Sequence, residues 1–176
     1  FTNKGVSYCA LCDATFFKDK ELVVVGGGDS ALEEALYLTN YASKVTIVHR
    51  RDEFRAQSYL QEKVKTNPKI DFALSDEVVS INGTAHVESV TLKSGNTLST
   101  DGVFIYVGQQ PTTNFVSDLG ITNEAGWISV NSYFQTKIPS IFAAGDCIDK
   151  DIRQIVTATG DGANAAQYIY QYLLEN

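Results

Sequence analysis

The chain has 176 residues, 44% hydrophobic and 20% charged, enough for one or two globular cores, which excludes a disordered tail or a collagenous fibre. Fourteen Lys and Arg against 21 Asp and Glu leave a net charge of −7. That sign repels phosphate backbones and anionic membranes, so neither nucleic acid nor a membrane surface is an expected partner. The longest unbroken apolar run, 103–107, is far short of the roughly 18 to 20 residues of a spanning helix.

In chain order, Leu22-Val23-Val24-Val25 is an apolar, β-branched run ending in Gly26-Gly27-Gly28, the pattern of a buried parallel strand and a tight turn. Ala31, Leu32, Ala35, Leu36 and Leu38 recur at helical spacing and predict a helix over 29–41. Val45-Thr46-Ile47-Val48 is a second short strand, so 22–48 has the order of a βαβ unit with a parallel pair and a right-handed crossover. A second helix is expected over 52–66, closed by Asn67-Pro68, and a third strand over 70–74. Between 78 and 98, short alternating runs broken by Asn82-Gly83 and Ser94-Gly95-Asn96 predict antiparallel hairpin strands. A buried strand over 103–107 follows, and Gly108-Gln109-Gln110-Pro111 marks a domain boundary, giving domains 1–110 and 111–176. The second domain contains no complete βαβ unit: short strands are expected near 128–130 and 141–143, and a helix over 162–174.

Four places carry chemistry. Gly26-Gly27-Gly28-Asp29-Ser30-Ala31 is a G-x-G-x-x-A turn between strand and helix. Gly26 permits the turn, Gly28 lets a pyrophosphate approach the backbone, Ala31 allows close packing, and the orphan N–H groups of the helix face the phosphates. The plain alternative is a strand–helix connection without a ligand. After the second strand comes His49-Arg50-Arg51-Asp52-Glu53-Phe54-Arg55, where an NAD-preferring fold would place an acidic residue for the ribose hydroxyls. Guanidinium forks instead suit a 2′-phosphate, so Arg50, Arg51 and Arg55, with His49 near the adenosine, point to NADPH. The alternative is a solvated basic face paired with Asp52 and Glu53.

The third place is Cys9-Ala10-Leu11-Cys12-Asp13. The spacing allows a disulfide in which one thiolate attacks a partner disulfide and the other resolves the intermediate, in a reducing compartment. Asp13 is a candidate proton donor to a leaving thiolate, or else a turn carboxylate. Structural zinc is the rival, but only Cys147, His49 and His86 are available as further ligands; two inert buried cysteines are the other alternative. The fourth place is Ala143-Ala144-Gly145-Asp146, a strand end that presents a carboxylate and a backbone N–H to a polyhydroxy chain. Cys147 beside it reads as a small buried filler.

Together these motifs resemble the low-molecular-weight thioredoxin reductases, FAD- and NADPH-dependent disulfide reductases. Cys9 to Asp13 resembles their C-A-x-C-D, 26–31 their nucleotide loop, 49–56 their H-R-R-x-x-x-R-A signature, and 143–146 with Arg153-Gln154-Ile155 their flavin-contacting segment. The resemblance implies an α/β fold, a Rossmann-like parallel sheet with an antiparallel flap as the NADPH lobe (1–110), and a partial FAD lobe (111–176). It implies that NADPH reduces FAD and that FAD reduces the Cys9–Cys12 disulfide, whose dithiol reduces thioredoxin. By the same resemblance Cys12 faces the flavin, Cys9 attacks thioredoxin, Asp13 donates the proton, Asp146 binds the ribityl-pyrophosphate, and Arg153, Gln154 and Ile155 lie near the flavin. The resemblance also implies a homodimer in the cytoplasm.

Two features depart from the family. Leu11 and Ala14 stand where it has a small polar residue and a glycine. No counterpart of its N-terminal FAD segment precedes Phe1, and the chain contains no Met, so it reads as a piece of a longer protein that binds NADPH without a complete flavin site. The competing readings are an NADH-dependent flavoprotein reductase of peroxiredoxin systems, for which the arginine cluster is unsuited, and a non-catalytic NADPH-binding module.

Overall fold

The computed structural model describes all 176 residues, which divide into two compact units, Phe1–Gly108 and Gln109–Asn176. The first unit is an α/β fold built on a five-stranded parallel sheet in the order β1-β8-β2-β3-β4. Its strands are β1 (Val6–Ser7), β2 (Glu21–Val25), β3 (Lys44–His49), β4 (Ile70–Leu74) and β8 (Gly102–Ile105). β2 is central, with Val24 opposite Ile47 of β3 and Phe104 of β8. A separate antiparallel sheet comprises β5 (Val78–Gly83), β6 (Val87–Leu92) and β7 (Thr97–Ser99).

The parallel strands read as continuous apolar runs because both sheet faces are covered. On one face Leu22, Val24, Val45, Ile47 and Phe104 pack on Ala31, Leu32, Ala35 and Leu38 of α2 (Asp29–Leu38) and on Leu60 and Val64 of α3 (Ser58–Thr66). On the other, Val23, Val48 and Val103 meet Val87, Val90 and Leu92 of the antiparallel flap. Each fully buried aliphatic side chain contributes about 1.5–3 kcal/mol relative to exposure, so this double layer fixes the strand ends from which the candidate site is built. A short helix, α1 (Ala10–Asp13), and a 3₁₀ turn over Ala14–Phe17 lead from β1 towards β2.

Three expectations need correction here. The helix expected over 29–41 stops at Leu38. The strand expected over 103–107 spans Gly102–Ile105. The helix expected over 52–66 begins only at Ser58, because residues 50–57 form an irregular loop anchored by long-range hydrogen bonds.

The second unit has few regular elements. A 3₁₀ turn covers Asn114–Leu119, another covers Gly145–Cys147, and a long helix, α4, runs Ile155–Glu175. The strands expected near 128–130 and 141–143 reduce to isolated bridges, Thr122 with Ile128, Ile128 with Ile148, and Gln135 with Phe142. The helix starts at 155 instead of 162, because Gly160 and Gly162 continue it and a reciprocal Gln154–Thr157 capping box opens it. Its aromatic side chains cover the irregular segment, Tyr168 on Tyr133 and Tyr172 on Phe142. No helix of the protein is long and apolar enough to cross a membrane.

Candidate functional site

The turn after β2 is shaped by what surrounds each glycine. Gly26 has φ +150°, and a Cβ there would lie 2.5 Å from the Tyr106 carbonyl oxygen and 2.8 Å from Ala31 Cβ, so both backbone and space demand glycine. At Gly27 a Cβ would come within 2.4 Å of the His49 ring. At Gly28 it would meet nothing within 4 Å; that glycine is not required by packing. Gly28 is the N-cap of α2 and makes no side-chain cap, so no capping side chain takes up the first-turn N–H groups. Ala31 is fully buried, and the Ser30 side chain is exposed. The Asp29 carboxylate reaches sideways, accepting from Gln57 N at 2.7 Å and Gln57 Nε2 at 3.2 Å.

That reach explains the irregular loop carrying the arginines. Arg55 N donates to Gly27 O at 2.8 Å and Ser75 N to Arg51 O at 3.0 Å. Gln61 Nε2 donates to Phe54 O at 3.3 Å and Ala56 O at 2.7 Å. Phe54 and Ala56 are buried, with Phe54 stacked on His49. These bonds fix residues 50–57 outside a helix and leave Arg50, Arg51 and Arg55 exposed. All five ion pairs of the protein use lysine, so the arginines are not paired with Asp52 or Glu53. His49 is buried, and its Nε2 has no hydrogen-bond partner. Burial, followed by the charges of Arg55, Arg51 and Arg50, holds its imidazole below the usual histidine range. Gly26, Gly27, His49, Arg50, Arg55, Asp76, Glu77 and Tyr106 line a cleft of about 290 Å³.

Cys9 and Cys12 are joined as a disulfide, their Cα atoms 5.3 Å apart. Cys9 caps α1, and its Sγ accepts from Cys12 N at 3.1 Å. Cys12 is exposed and Cys9 half-buried. Ser7, buried at the end of β1, donates its hydroxyl to Asp13 Oδ2 at 2.7 Å and accepts from Cys9 N at 3.2 Å. Sequence reading missed Ser7, since a lone serine two residues before Cys9 carries no pattern; only the turn into α1 brings it onto the Asp13 carboxylate and the Cys9 N–H. Tyr8, Leu11 and Phe16, close to the pair in sequence, are exposed apolar side chains.

In the second unit, Gly145 has φ +82° and its N–H donates to Asp161 Oδ2 at 3.3 Å. Lys150 Nζ binds the same oxygen at 2.6 Å and lies 3.7 Å from Asp146 Oδ1. Asp146 remains exposed. The Arg153 guanidinium lies 3.6 Å over the Trp127 ring and donates to the carbonyls of Asp146 and Ile148 at 3.4 and 3.2 Å. Gln154 closes the capping box, and Ile155, the first residue of α4, is exposed. Cys147 corrects an expectation: it is half-buried, not a filled core position, and its Sγ donates to Ala144 O at 3.3 Å.

Residues 1–162 match the family model described as pyridine nucleotide-disulphide oxidoreductase. The chain is 55% identical over 178 residues to a thioredoxin reductase of Bacillus subtilis, covering 98% of this chain and 56% of that protein. It is 52% identical to a thioredoxin reductase of Listeria innocua, covering 99% and 56%. Among solved structures, the thioredoxin reductase from Streptococcus pyogenes superposes with a TM-score of 0.90 at 51% identity, over 98% of this chain and 58% of that one. The chain thus spans about half the length of the curated relatives it matches.

Proposed function

Since the chain belongs to the pyridine nucleotide-disulphide oxidoreductase family, we propose that it carries the NADPH-binding and disulfide-exchanging functions of a thioredoxin reductase. The observation that carries this reading is the combination, within one compact unit, of a Cys9–Cys12 disulfide with three exposed, unpaired arginines beside a glycine turn.

The residues fit a phosphorylated dinucleotide. Gly28 leaves the backbone open to a pyrophosphate, and the first-turn N–H groups of α2 face it. Arg50 and Arg55, which line the cleft beside the His49 ring, and the exposed Arg51 present forked donors to a 2′-phosphate. For FAD the fit is partial. Asp146 offers an exposed carboxylate, and Ile155 an apolar surface, whereas Arg153 is held on Trp127 and orders the Asp146 and Ile148 carbonyls. When bound, NADPH supplies a hydride and FAD accepts it and delivers the electron pair to a disulfide.

The chain's own part is thiol exchange with thioredoxin. In the reduced pair one thiolate attacks the partner disulfide, releasing a partner thiolate that Asp13, oriented by Ser7, protonates. The remaining cysteine then attacks the mixed disulfide and closes the Cys9–Cys12 bond. The family resemblance makes Cys9 the attacking sulfur. The greater exposure of Cys12 favours a second reading in which Cys12 attacks.

Trapping distinguishes them. Cys12→Ser and Cys9→Ser forms of the chain, reduced and mixed with oxidised thioredoxin, are expected to differ. Under the first reading only Cys12→Ser accumulates a mixed disulfide, on Cys9, visible by mass spectrometry. Accumulation only with Cys9→Ser supports the second reading, and no adduct with either overturns the thioredoxin assignment.

A further inference from the structure

Tyr106 lies just beyond β8 and touches two parts of the first unit. Its N–H donates to Val25 O at 2.8 Å, and its carbonyl forms the wall that restricts position 26 to glycine. At its other end the hydroxyl accepts the N–H of Ala10 at 2.8 Å, the first N–H after Cys9. Glu34 of α2, half-buried, interacts with the same hydroxyl and with the N–H groups of Ala10 and Leu11. The strand end that walls the nucleotide turn and the helix that starts from it therefore converge on the peptide between the two cysteines.

We propose that Tyr106 and Glu34 are positioning residues for the Cys9–Cys12 pair, engaging the Ala10 and Leu11 N–H groups with a hydroxyl and a carboxylate so that a thiolate at Cys9 is disfavoured. The inference rests on the redox reading of the pair and is independent of NADPH and FAD. In the disulfide state the sulfurs are neutral and add no charge beside the carboxylate. Reduction by dithiothreitol transfers two electrons and two protons: the reagent closes to its cyclic disulfide and the pair becomes two thiols. Ionising Cys9 then places a second anion next to the Ala10 and Leu11 N–H groups that are already engaged, while its Sγ keeps the Cys12 N–H. The other titratable groups facing this cluster are Glu33 and Tyr37 on α2 and Asp13 on α1, none of them cationic. Burial, followed by the charge of Glu33, raises the Glu34 carboxyl against the pull of Tyr106 and the two N–H groups. Burial and the charge of Glu34 also push the Tyr106 phenol well above its ordinary value, so it stays a neutral donor.

Removing either partner shifts the balance the same way. Glu34→Gln deletes the charge and keeps the shape. Tyr106→Phe frees the Ala10 N–H and deprives the carboxylate of a donor. Both are expected to lower the midpoint of the pH profile for iodoacetamide alkylation of the reduced, desalted chain. A downward shift of about one unit gives about a threefold faster reaction at neutral pH, since tenfold more thiolate is partly offset by its weaker nucleophilicity.

A pair that cannot be cycled between disulfide and dithiol overturns the redox reading itself. A pair that cycles normally while both variants keep the parent midpoint overturns this inference alone. Should a variant fail to fold, the unmodified chain decides: its lower thiol midpoint is expected at or above about 8.5, the ordinary cysteine value, and a midpoint clearly below that contradicts the proposal.

Discussion

A side chain at position 27 would occupy the space of the His49 ring, whereas one at position 28 would project into the open. The two glycines of the same turn therefore stand in different surroundings, and only the first is required by packing. Gly27→Ala is expected to destabilise the first unit by about 1–3 kcal/mol, the usual cost of overpacking, measured by urea unfolding. Gly28→Ala is expected to leave that stability unchanged and to weaken NADPH binding, because the added methyl group blocks the approach of a pyrophosphate. If Gly28→Ala bound NADPH like the parent, the turn would be a connection only. Sequence alone assigned Gly28 to the approach of a pyrophosphate and gave Gly27 no role of its own, since the collision of position 27 with His49 depends on the meeting of two strand ends.

At the scale of elements, the buried strands were legible because parallel strands covered on both faces need uninterrupted β-branched runs, and Leu22 to Val25 is such a run. The loop of residues 50–57 was not legible. Its charged residues and Phe54 suit a helix locally, but the bonds that hold it elsewhere come from Gly27, Asp29, Gln61 and Ser75. The same limit applies to α4, whose glycines resemble breakers although the Gln154–Thr157 box and the Tyr168 and Tyr172 contacts carry the helix from Ile155. Gln61 tests whether the fixed loop matters. Its amide holds two loop carbonyls, and Gln61 is not among the residues lining the cleft proposed for the nucleotide. Gln61→Ala is expected to weaken NADPH binding by about tenfold, equivalent to about 1.4 kcal/mol, with little effect on NADH. An equal loss for both nucleotides would show that the loop positions the cleft as a whole and not the arginines.

Across the whole chain, an acidic protein with net charge −7 exposes three unpaired arginines within six residues of one another, on a loop fixed beside an open glycine turn. Long-range electrostatics disfavours an anionic ligand here, so recognition has to come from short-range, forked hydrogen bonds, each charge-assisted bond worth about 1.5–3 kcal/mol. The redox pair stands in the same unit, and the second unit supplies an exposed carboxylate at Asp146 and an ordered turn at Gly145. The reading of the chain as an electron-entry module thus depends on which nicotinamide nucleotide it takes. Isothermal titration of the chain with NADPH and with NADH measures this directly. NADPH is expected to bind at least about tenfold more tightly, with most of that preference lost in Arg50→Ala; equal affinity for the two nucleotides, or no binding of NADPH, would contradict it.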